Sequence, residues 1–228
     1  VPAVSLNRMC GSSQQAVHFA AQSILAGDND LVLAGGTEMM SHQPLGADYP
    51  KEWPDVGHPL IHQGLSAELM VEKWDLARDA MDDYAYESHI KAGRAIEAGI
   101  FTDQILPVSL PTGERFTVDQ GVRRPPDRER MRALKPVFKE NGRVTAGNSS
   151  QVSDAAAALL IASASAVGRY NLSPLARIVA RVAVGSDPTL MLDGPIHGTP
   201  KVLKRAGLTL ADMDVIEINE AFASMILP

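Results

Sequence analysis

The chain has 228 residues, of which 45% are hydrophobic and 21% are charged, a balance that is ordinary for a globular protein with one large core or two modest domains. Its net charge of −6 argues against general nucleic-acid binding, and its single cysteine excludes a disulfide framework and fits a reducing compartment. No apolar run approaches the length of about 18 residues that a membrane-spanning helix needs.

The first predicted elements flank the cysteine, Cys10. Residues 4–6 are typical of the end of a short strand, and apolar residues at helical spacing predict a helix over Ser12–Ala26, which Gly27 terminates. Cys10 therefore falls at a strand-to-helix turn, where unpaired N–H groups and the helix dipole favour an anion. Because the thiolate is the reactive form of cysteine, this position favours a nucleophile.

A buried structural cysteine is the alternative interpretation, because free cysteines are among the most buried residues in proteins. The small residues Gly11 and Ser12 would leave room for a substrate carbonyl beside Cys10. Taken by itself, this segment leaves the two interpretations evenly balanced.

The next part of the chain alternates between predicted strands and helices. Residues 30–34 are predicted to form a continuous apolar strand, which two glycines follow. Residues 41–64 lack periodicity, which predicts a loop. Helices are predicted at 66–74 and 79–98, and a short alternating strand at 105–110.

The second half of the chain begins with a turn-rich, charged stretch at 111–142. Asp154 has the character of an N-cap for an alanine-rich helix over 155–167, which Gly168 terminates. The remaining predicted elements are a strand at 176–184, a helix with Thr199 as N-cap and Pro200 at its first position, and a strand at 215–218 that carries Asn219.

This order of elements predicts an α/β protein with helices on both faces of a sheet. The stretch at 38–152 has the character of an insertion between two parts of one layered domain. His58 and His62 are four residues apart, but Pro59 separates them and no cysteine or acidic cluster accompanies them, so no metal site is predicted. The sequence also lacks the glycine-rich motifs of dinucleotide and nucleoside-triphosphate sites.

Four motifs carry a family resemblance. They are Asn7-Arg8-Met9-Cys10-Gly11, Gly35-Gly36-Thr37-Glu38-Met39, Thr145-Ala146-Gly147-Asn148-Ser149-Ser150 and Asn219-Glu220-Ala221-Phe222-Ala223. In this order and at these separations, they resemble the thiolase family of acyl-CoA acyltransferases. The resemblance covers essentially the whole chain, and four motifs in register make it specific.

The resemblance implies a layered α-β-α-β-α fold that is incomplete here and carries an inserted loop domain. Residues 1–37 and 153–173 would form part of the N-terminal core domain. Residues 38–152 would form the loop domain, which covers the active site and binds coenzyme A (CoA), and residues 174–228 would begin a truncated C-terminal core domain.

By the same resemblance, the expected activity is that of an acyl-CoA C-acyltransferase, which forms or cleaves 3-ketoacyl-CoA. Cys10 would carry the acyl group as a thioester, and Asn219 would help to hold a water in an oxyanion hole for the second step. CoA and acyl-CoA would be substrates, with no cofactor bound permanently. The residues expected to bind CoA or the acyl group are His62, Arg123, Ser150 and Phe222.

A basic run within the insertion bears on CoA binding. It sets six positive side chains against Asp127 and Glu129, although the chain is acidic as a whole. Arginine suits phosphate oxygens, but such a run is more often a solvated loop. The resemblance supports a phosphate contact for Arg123 more than for the others, which are Arg124, Arg128, Arg130, Arg132 and Lys135.

The expected partners are acyl-CoA molecules and further copies of the chain, as a homodimer or homotetramer at full length. Neither nucleic acid nor a membrane span is expected. A cytoplasmic location is expected, and mitochondrial or peroxisomal locations stay open.

The chain departs from the family at Ser13, Gln151 and Ala155, where relatives commonly have glycine, which suggests a divergent subfamily with a different acyl pocket. In the family, the histidine that activates the nucleophile and a second cysteine lie in C-terminal segments without a counterpart here. A catalytically incomplete fragment with little turnover is therefore expected. The alternatives are a non-catalytic thiolase-like protein that binds acyl-CoA and, less favoured, a ketoacyl or hydroxymethylglutaryl synthase.

Overall fold

A computed structural model describes residues 1–47, 55 and 57–228 of the chain. The helices are α1 (Ser12–Ala26), α2 (Gln63–Lys73), α3 (Arg78–Glu97), α4 (Arg128–Arg132), α5 (Ala164–Arg169) and α6 (Gly194–Ala206). The strands are β1 (Leu31–Met39), β2 (Val108–Ser109), β3 (Arg115–Phe116) and β4 (Asp154–Ala162), and short 3₁₀ helices lie at Leu210–Asp212 and Ala223–Met225. The part of the predicted 41–64 loop that spans residues 48–54 and 56 lies outside the described residues.

The described residues divide into two units. The first unit comprises the described residues of Val1–Lys51, together with Val152–Ala183 and Thr199–Asp212. The second unit comprises the described residues of Glu52–Gln151, together with Val184–Gly198 and Met213–Pro228.

The first unit is built on α1 and an antiparallel pair of long strands. The strands β1 and β4 pair along their whole length, from Leu31 opposite Ala162 to Met39 opposite Asp154. Helix α1 ends at Gly27, which adopts the left-handed conformation that favours glycine. The predictions of α1 and of a strand after it are therefore confirmed, and the strand continues through the two glycines that were expected to end it.

The predicted helix at 155–167 is wrong, because its first eight residues belong to β4. A run of four alanines favours a helix locally, but small side chains also let β4 approach the glycines of β1 closely, and pairing outweighs the local preference. The helix that does form, α5, is capped by Ser163, whose side chain accepts the Ala166 N–H at 3.1 Å. The carboxylate of Asp154 instead accepts the Ser41 N–H at 2.9 Å, and hydrogen bonds from Ser41 lower the pKa of Asp154.

Other predicted boundaries also differ from the structure. Three further segments were predicted to be strands, but in the structure none of them is a strand. They are residues 4–6, 176–184 and 215–218. A strand requires a hydrogen-bonded neighbour, which apolar residues in one segment cannot supply by themselves. The strand at 105–110 shrinks to β2, and helix α6 begins before Thr199, so that Pro200 lies inside it.

The second unit has a core formed mainly by α2 and α3, and both helices confirm the predictions at 66–74 and 79–98. Methionines from both helices are fully buried there, with Val144 from the loop that follows the basic run. The core is completed by Ala67, Val71, Leu190, Leu192, Phe222 and Ala223. Two of the motifs singled out in the sequence, at 145–150 and 219–223, are therefore anchored to one hydrophobic core.

The close pairing of β1 and β4 predicts a specific cost for a larger residue. A Cβ at Gly35 would lie 2.7 Å from the Ala157 carbonyl oxygen and 3.3 Å from Ala158. Backbone on the paired strand cannot move aside, so Gly35→Ala should lower the free energy of unfolding by about 1–3 kcal/mol, as overpacking does. Gly168→Ala in α5 is the matched control. A Cβ at this position would have no atom within 4 Å, and a helix favours alanine over glycine.

Urea unfolding of the two variants measures both effects. Gly168→Ala should be neutral or stabilising. Equal free energies of unfolding for Gly35→Ala and the parent chain would show that the two strands are not packed as closely as described.

Candidate active site

Cys10 is exposed in a turn that directly precedes the N-cap of α1. The turn is fixed by its own side chains: Asn7 Oδ1 accepts the Met9 N–H at 2.8 Å, and Met9 takes a positive φ of 50°. Ser12 Oγ accepts the Arg8 N–H at 2.8 Å and donates to the Met9 carbonyl at 2.6 Å. The predicted position of Cys10 at a turn beside a helix N-terminus is confirmed, and its reactivity stays a prediction.

The electrostatic setting of Cys10 is that of an open helix N-terminus. The first turn of α1 contains no acidic residue that would offset the positive end of the helix dipole. Arg8, two residues before the cysteine, donates from Nη1 to Gln15 Oε1 at 2.6 Å and adds positive charge to this end of the helix. A helix N-terminus of this kind favours nearby negative charge.

In the second unit, a buried carboxylate fixes the start of the loop that carries the motif at 145–150. Glu68 of α2 is 3% exposed. Its carboxylate accepts the backbone N–H of Arg143 at 2.9 Å and that of Val144 at 2.8 Å. A buried carboxylate is tolerated only when hydrogen bonds replace its hydration, so these two amides are tied to α2.

A second buried network holds the middle of the same loop. Asn148, 2% exposed, donates from its amide to Asp82 Oδ1 at 2.8 Å and to the Arg143 carbonyl at 3.1 Å. Its own oxygen accepts the Thr145 N–H at 2.9 Å. Every polar atom of the Asn148 side chain therefore has a partner. Asp82 in turn pairs with Arg78 at 2.7 Å.

The loop at 145–150 and the segment at 219–223 are joined backbone to backbone. The Ser150 N–H donates to the Ala221 carbonyl at 2.8 Å, and the Ala223 N–H donates to the Asn148 carbonyl at 2.9 Å. Between these bonds, Phe222 forms an antiparallel bridge with the residue before Ser150. Ser150 and Phe222, both predicted to bind CoA, are therefore brought together.

The segment at 219–223 has a second anchor on α3. The Tyr84 hydroxyl donates to one Glu220 carboxylate oxygen, and the Ser88 hydroxyl donates to the other at 3.4 Å. Burial raises the pKa of Tyr84 to about 12, and the hydrogen bond to Glu220 and its charge contribute. Tyr84 is therefore a hydrogen-bond donor at any ordinary pH. Asn219, the predicted oxyanion-hole residue, is exposed directly before this anchor.

A series of aromatic rings links His62 to the same place. His62, the N-cap of α2, stacks on Phe138 with ring centroids 5.3 Å apart, and Phe138 meets Phe222 edge to face at 5.9 Å. Gly64 makes this packing possible, because a Cβ there would overlap the Phe138 ring. The predicted His62 and Phe222 are therefore connected through Phe138.

Arg123 lies in a loop that packs next to the same motif. It is exposed, and its backbone N–H donates to His89 Nδ1 at 3.2 Å. Two residues earlier, Gly121 packs so closely on the Gln151 side chain, next to Ser150, that a Cβ would overlap it. The pKa of His89 is lowered by burial and then by the Arg123 charge, while Asp119 opposes the shift.

Contacts within the second unit therefore link His62, Ser150 and Phe222, and Arg123 lies in the same unit, whereas Cys10 belongs to the first unit. Several supporting residues were missed by the sequence reasoning. A usable signal existed for two of them, because Glu68 and Asp82 are acidic residues among the apolar positions of predicted helices. The side chains missed as contributors are Glu68, Asp82, Tyr84, His89 and Phe138.

The described residues contain neither a candidate metal site nor a membrane-spanning helix. No group of three or more histidine, cysteine, aspartate or glutamate side chains within the described ranges could hold a metal ion. Within the same ranges, no helix has the length and apolar character needed to cross a membrane.

Comparison with known proteins places this mixed α/β chain in a class. The family model for the thiolase N-terminal domain matches residues 1–165, and the model for the thiolase C-terminal domain matches residues 172–228. The chain belongs to the thiolase family, so the predicted family and its layered fold are confirmed.

Individual relatives agree. The chain is 43% identical over 243 residues to beta-ketothiolase BktB of Cupriavidus necator, with 98% of this chain and 61% of that protein covered. It is 41% identical over 242 residues to steroid 3-ketoacyl-CoA thiolase FadA6 of Mycobacterium tuberculosis, with 100% of this chain and 59% of that protein covered. The chain thus spans about three fifths of the length of these relatives.

Solved structures give the same result. The human mitochondrial 3-ketoacyl-CoA thiolase in complex with CoA superposes with a TM-score of 0.88 at 37% identity, over 99% of this chain and 61% of that one. The dimeric peroxisomal thiolase of Saccharomyces cerevisiae superposes with a TM-score of 0.87 at 36% identity, over 98% of this chain and 59% of that one.

Proposed function

We propose that this chain supplies Cys10 as the nucleophile of a thiolase-type acyl-CoA C-acyltransferase, which forms or cleaves 3-ketoacyl-CoA through a thioester on that residue. The observation that carries the proposal is the position of Cys10, exposed in a side-chain-fixed turn at the N-terminus of α1. The thiolase membership and the relatives named for 3-ketoacyl-CoA support the reaction and substrate class. The domain boundaries at residues 37, 152 and 173 stay predictions.

The first step is acylation of the cysteine. In the degradative direction the Cys10 thiolate attacks the C3 carbonyl carbon of a 3-ketoacyl-CoA, a new C–S bond forms, the C2–C3 bond breaks, and the acetyl-CoA carbanion takes up a proton and leaves. In the synthetic direction the thiolate attacks the thioester carbonyl carbon of an acyl-CoA, a new C–S bond forms, and the bond to the CoA sulfur breaks. The departing CoA thiolate takes up a proton and leaves as the free thiol. The positive end of the α1 dipole lies beside this reaction centre.

The second step transfers the acyl group from Cys10 to an acceptor. In the degradative direction the CoA thiolate attacks the enzyme thioester and regenerates the Cys10 thiolate. In the synthetic direction the acceptor is the carbanion of acetyl-CoA, formed by loss of a proton. Asn219 would hold a water that donates to the negative oxygen that develops in this step. The hydrogen bond from Tyr84 to the neighbouring Glu220 supports a fixed backbone position at Asn219.

CoA would bind along the contact series of the second unit, and it would be a substrate rather than a resident cofactor. Ser150 would contact the polar pantetheine arm, with His62 and Phe222 beside the chain leading to the acyl group. Arg123, at the far end of the series, would bind a phosphate. The exposed positions of Ser150, His62 and Arg123 support this assignment, because each presents a polar group to the solvent side of the unit.

A homodimer or homotetramer is part of the same proposal. The solved relative from Saccharomyces cerevisiae is described as dimeric, which supports the smaller assembly. Sedimentation of the chain at several concentrations would measure the assembly directly.

The acylation step has a direct test. The chain is incubated with acetyl-CoA, and the adduct is mapped by mass spectrometry, so that one acyl transfer is followed rather than turnover. The acyl group is expected on Cys10, and hydroxylamine or added CoA should remove it because the linkage is a thioester. Cys10→Ala should carry no adduct, whereas Ser13→Ala, three residues further along, should be acylated like the parent chain.

The outcome separates the two candidate functions. An acyl group on another residue would contradict the role of Cys10. No adduct on a chain that binds acetyl-CoA would favour the non-catalytic acyl-CoA-binding protein instead.

Arg123 has an independent test in which His89 serves as the reporter. Arg123→Gln should weaken CoA binding by about 1–3 kcal/mol, the cost of a charge-assisted contact. CoA should raise the pKa of His89 in the parent chain, because a phosphate on Arg123 offsets the cationic charge that lowers this pKa. Arg123→Gln should raise the pKa of His89 even without CoA.

Titration of His89 by NMR and calorimetry with CoA provide both readouts. Arg130→Gln, from the same basic run, is the matched control and should leave the CoA affinity nearly unchanged. Equal CoA affinities for Arg123→Gln and the parent chain at low salt would remove Arg123 from the site.

A further inference from the structure

The residue that follows Asn219 is bound to helix α3 through both oxygens of its side chain. This residue is Glu220, and its Oε1 accepts the Tyr84 hydroxyl. Its Oε2 accepts the Ser88 hydroxyl at 3.4 Å. The two donors are four residues apart in α3, so they lie on one face of the helix in successive turns.

Tyr84 is well suited to hold a carboxylate. Its pKa is raised to about 12, first by burial and then by the hydrogen bond to Glu220 and its charge, so the phenol keeps its proton. A hydrogen bond to an ionised carboxylate is roughly twice as strong as one between neutral groups. The helix that carries Tyr84 is itself fixed, because Met81 and Asp82 of α3 are buried in the second unit.

The remaining contacts of the segment at 219–223 begin further from Asn219. The Ala221 carbonyl accepts the Ser150 N–H, and the Ala223 N–H donates to the Asn148 carbonyl. These backbone bonds start two residues after Asn219, whereas the side-chain bonds to α3 start one residue after it. The hydroxyls of α3 therefore act on the peptide unit that joins Asn219 to Glu220.

We infer that Tyr84 and Ser88 are positioning residues for the second transfer step, because they hold Glu220 and with it the backbone from which Asn219 projects. The inference rests on the proposed role of Asn219. An asparagine side chain is short, so its amide is placed no more accurately than its backbone. A displacement of about 1 Å at a reacting group can cost about 10²-fold in rate.

The same hydroxyls also bear on the charge of Glu220. This carboxylate lies one residue from a group that is proposed to stabilise a developing negative oxygen, and like charges repel. Donors on both of its oxygens direct the carboxylate toward α3. Glu220→Gln separates position from charge, because glutamine keeps an oxygen acceptor for Tyr84 and carries no charge.

The first test follows the backbone at Asn219 by NMR relaxation in the 228-residue chain. A double variant with Tyr84→Phe and Ser88→Ala should make the Asn219 and Glu220 amides more mobile and leave the Ser150 amide as it is. Ser88→Thr restores a hydroxyl and should restore order relative to Ser88→Ala. Tyr86→Phe is the matched control on α3, where the Tyr86 ring packs against the Arg128 guanidinium at 4.2 Å. Urea unfolding checks that each variant is folded.

The second test follows transfer of the acetyl group from Cys10 to CoA. Tyr84→Phe should slow this transfer about tenfold or more at saturating CoA, as a misplaced oxyanion donor would. The CoA concentration that gives the half-maximal rate should not change, because Tyr84 is not among the proposed CoA contacts. Glu220→Ala should be as slow as Tyr84→Phe, whereas Glu220→Gln should stay close to the parent chain.

Two outcomes would overturn the inference. The first is parent-like mobility of the Asn219 amide in the folded double variant. The second is a parent-like transfer rate in the same variant. A parent chain that forms no acetyl adduct would contradict the proposed function, and the mobility of Asn219 would still decide whether Tyr84 and Ser88 hold its backbone.

Discussion

Two buried carboxylates organise the second unit, and the candidate CoA-binding surface depends on them. Glu68 and Asp82 come from consecutive helices and are each almost fully buried. Neither can keep its hydration, so each needs hydrogen-bond partners within the protein. Glu68 is bound by the backbone amides of Arg143 and Val144, and Asp82 by Arg78 and Asn148. Removing one partner of a buried charge typically costs about 3–5 kcal/mol, so the loop that supplies these partners is held in one conformation.

The fixed loop in turn positions the rest of the surface. The side-chain amide of Asn148 donates to Asp82, its backbone carbonyl accepts the Ala223 N–H, and the next residues pair with the segment at 219–223. The rings of Phe138 and Phe222 then complete the connection to His62. In the first unit, by contrast, Cys10 lies in a short turn that local side-chain hydrogen bonds hold in place.

Sequence reasoning succeeded where a local rule decides the structure. Hydrophobic periodicity and terminating glycines predicted the long helices, the strand after Gly27 and the turn at Cys10. Four motifs in register predicted the family. It failed for the alanine run in β4, because whether alanine forms a helix or pairs with a glycine-containing strand is decided by a partner about 120 residues away. The partners of Glu68 and the link through Phe138 also lie far along the chain, so no local pattern could identify them.

The most direct test of a pre-formed CoA surface on this loop is amide hydrogen exchange of the chain with and without CoA. The Ser150 and Ala223 amides, which donate across the two segments, should exchange slowly in the free chain and more slowly with CoA. Amides of β1 and β4 should be unchanged. Unchanged exchange at Ser150 and Ala223 in a CoA-saturated chain, or protection confined to β1 and β4, would contradict a pre-formed CoA surface on this loop.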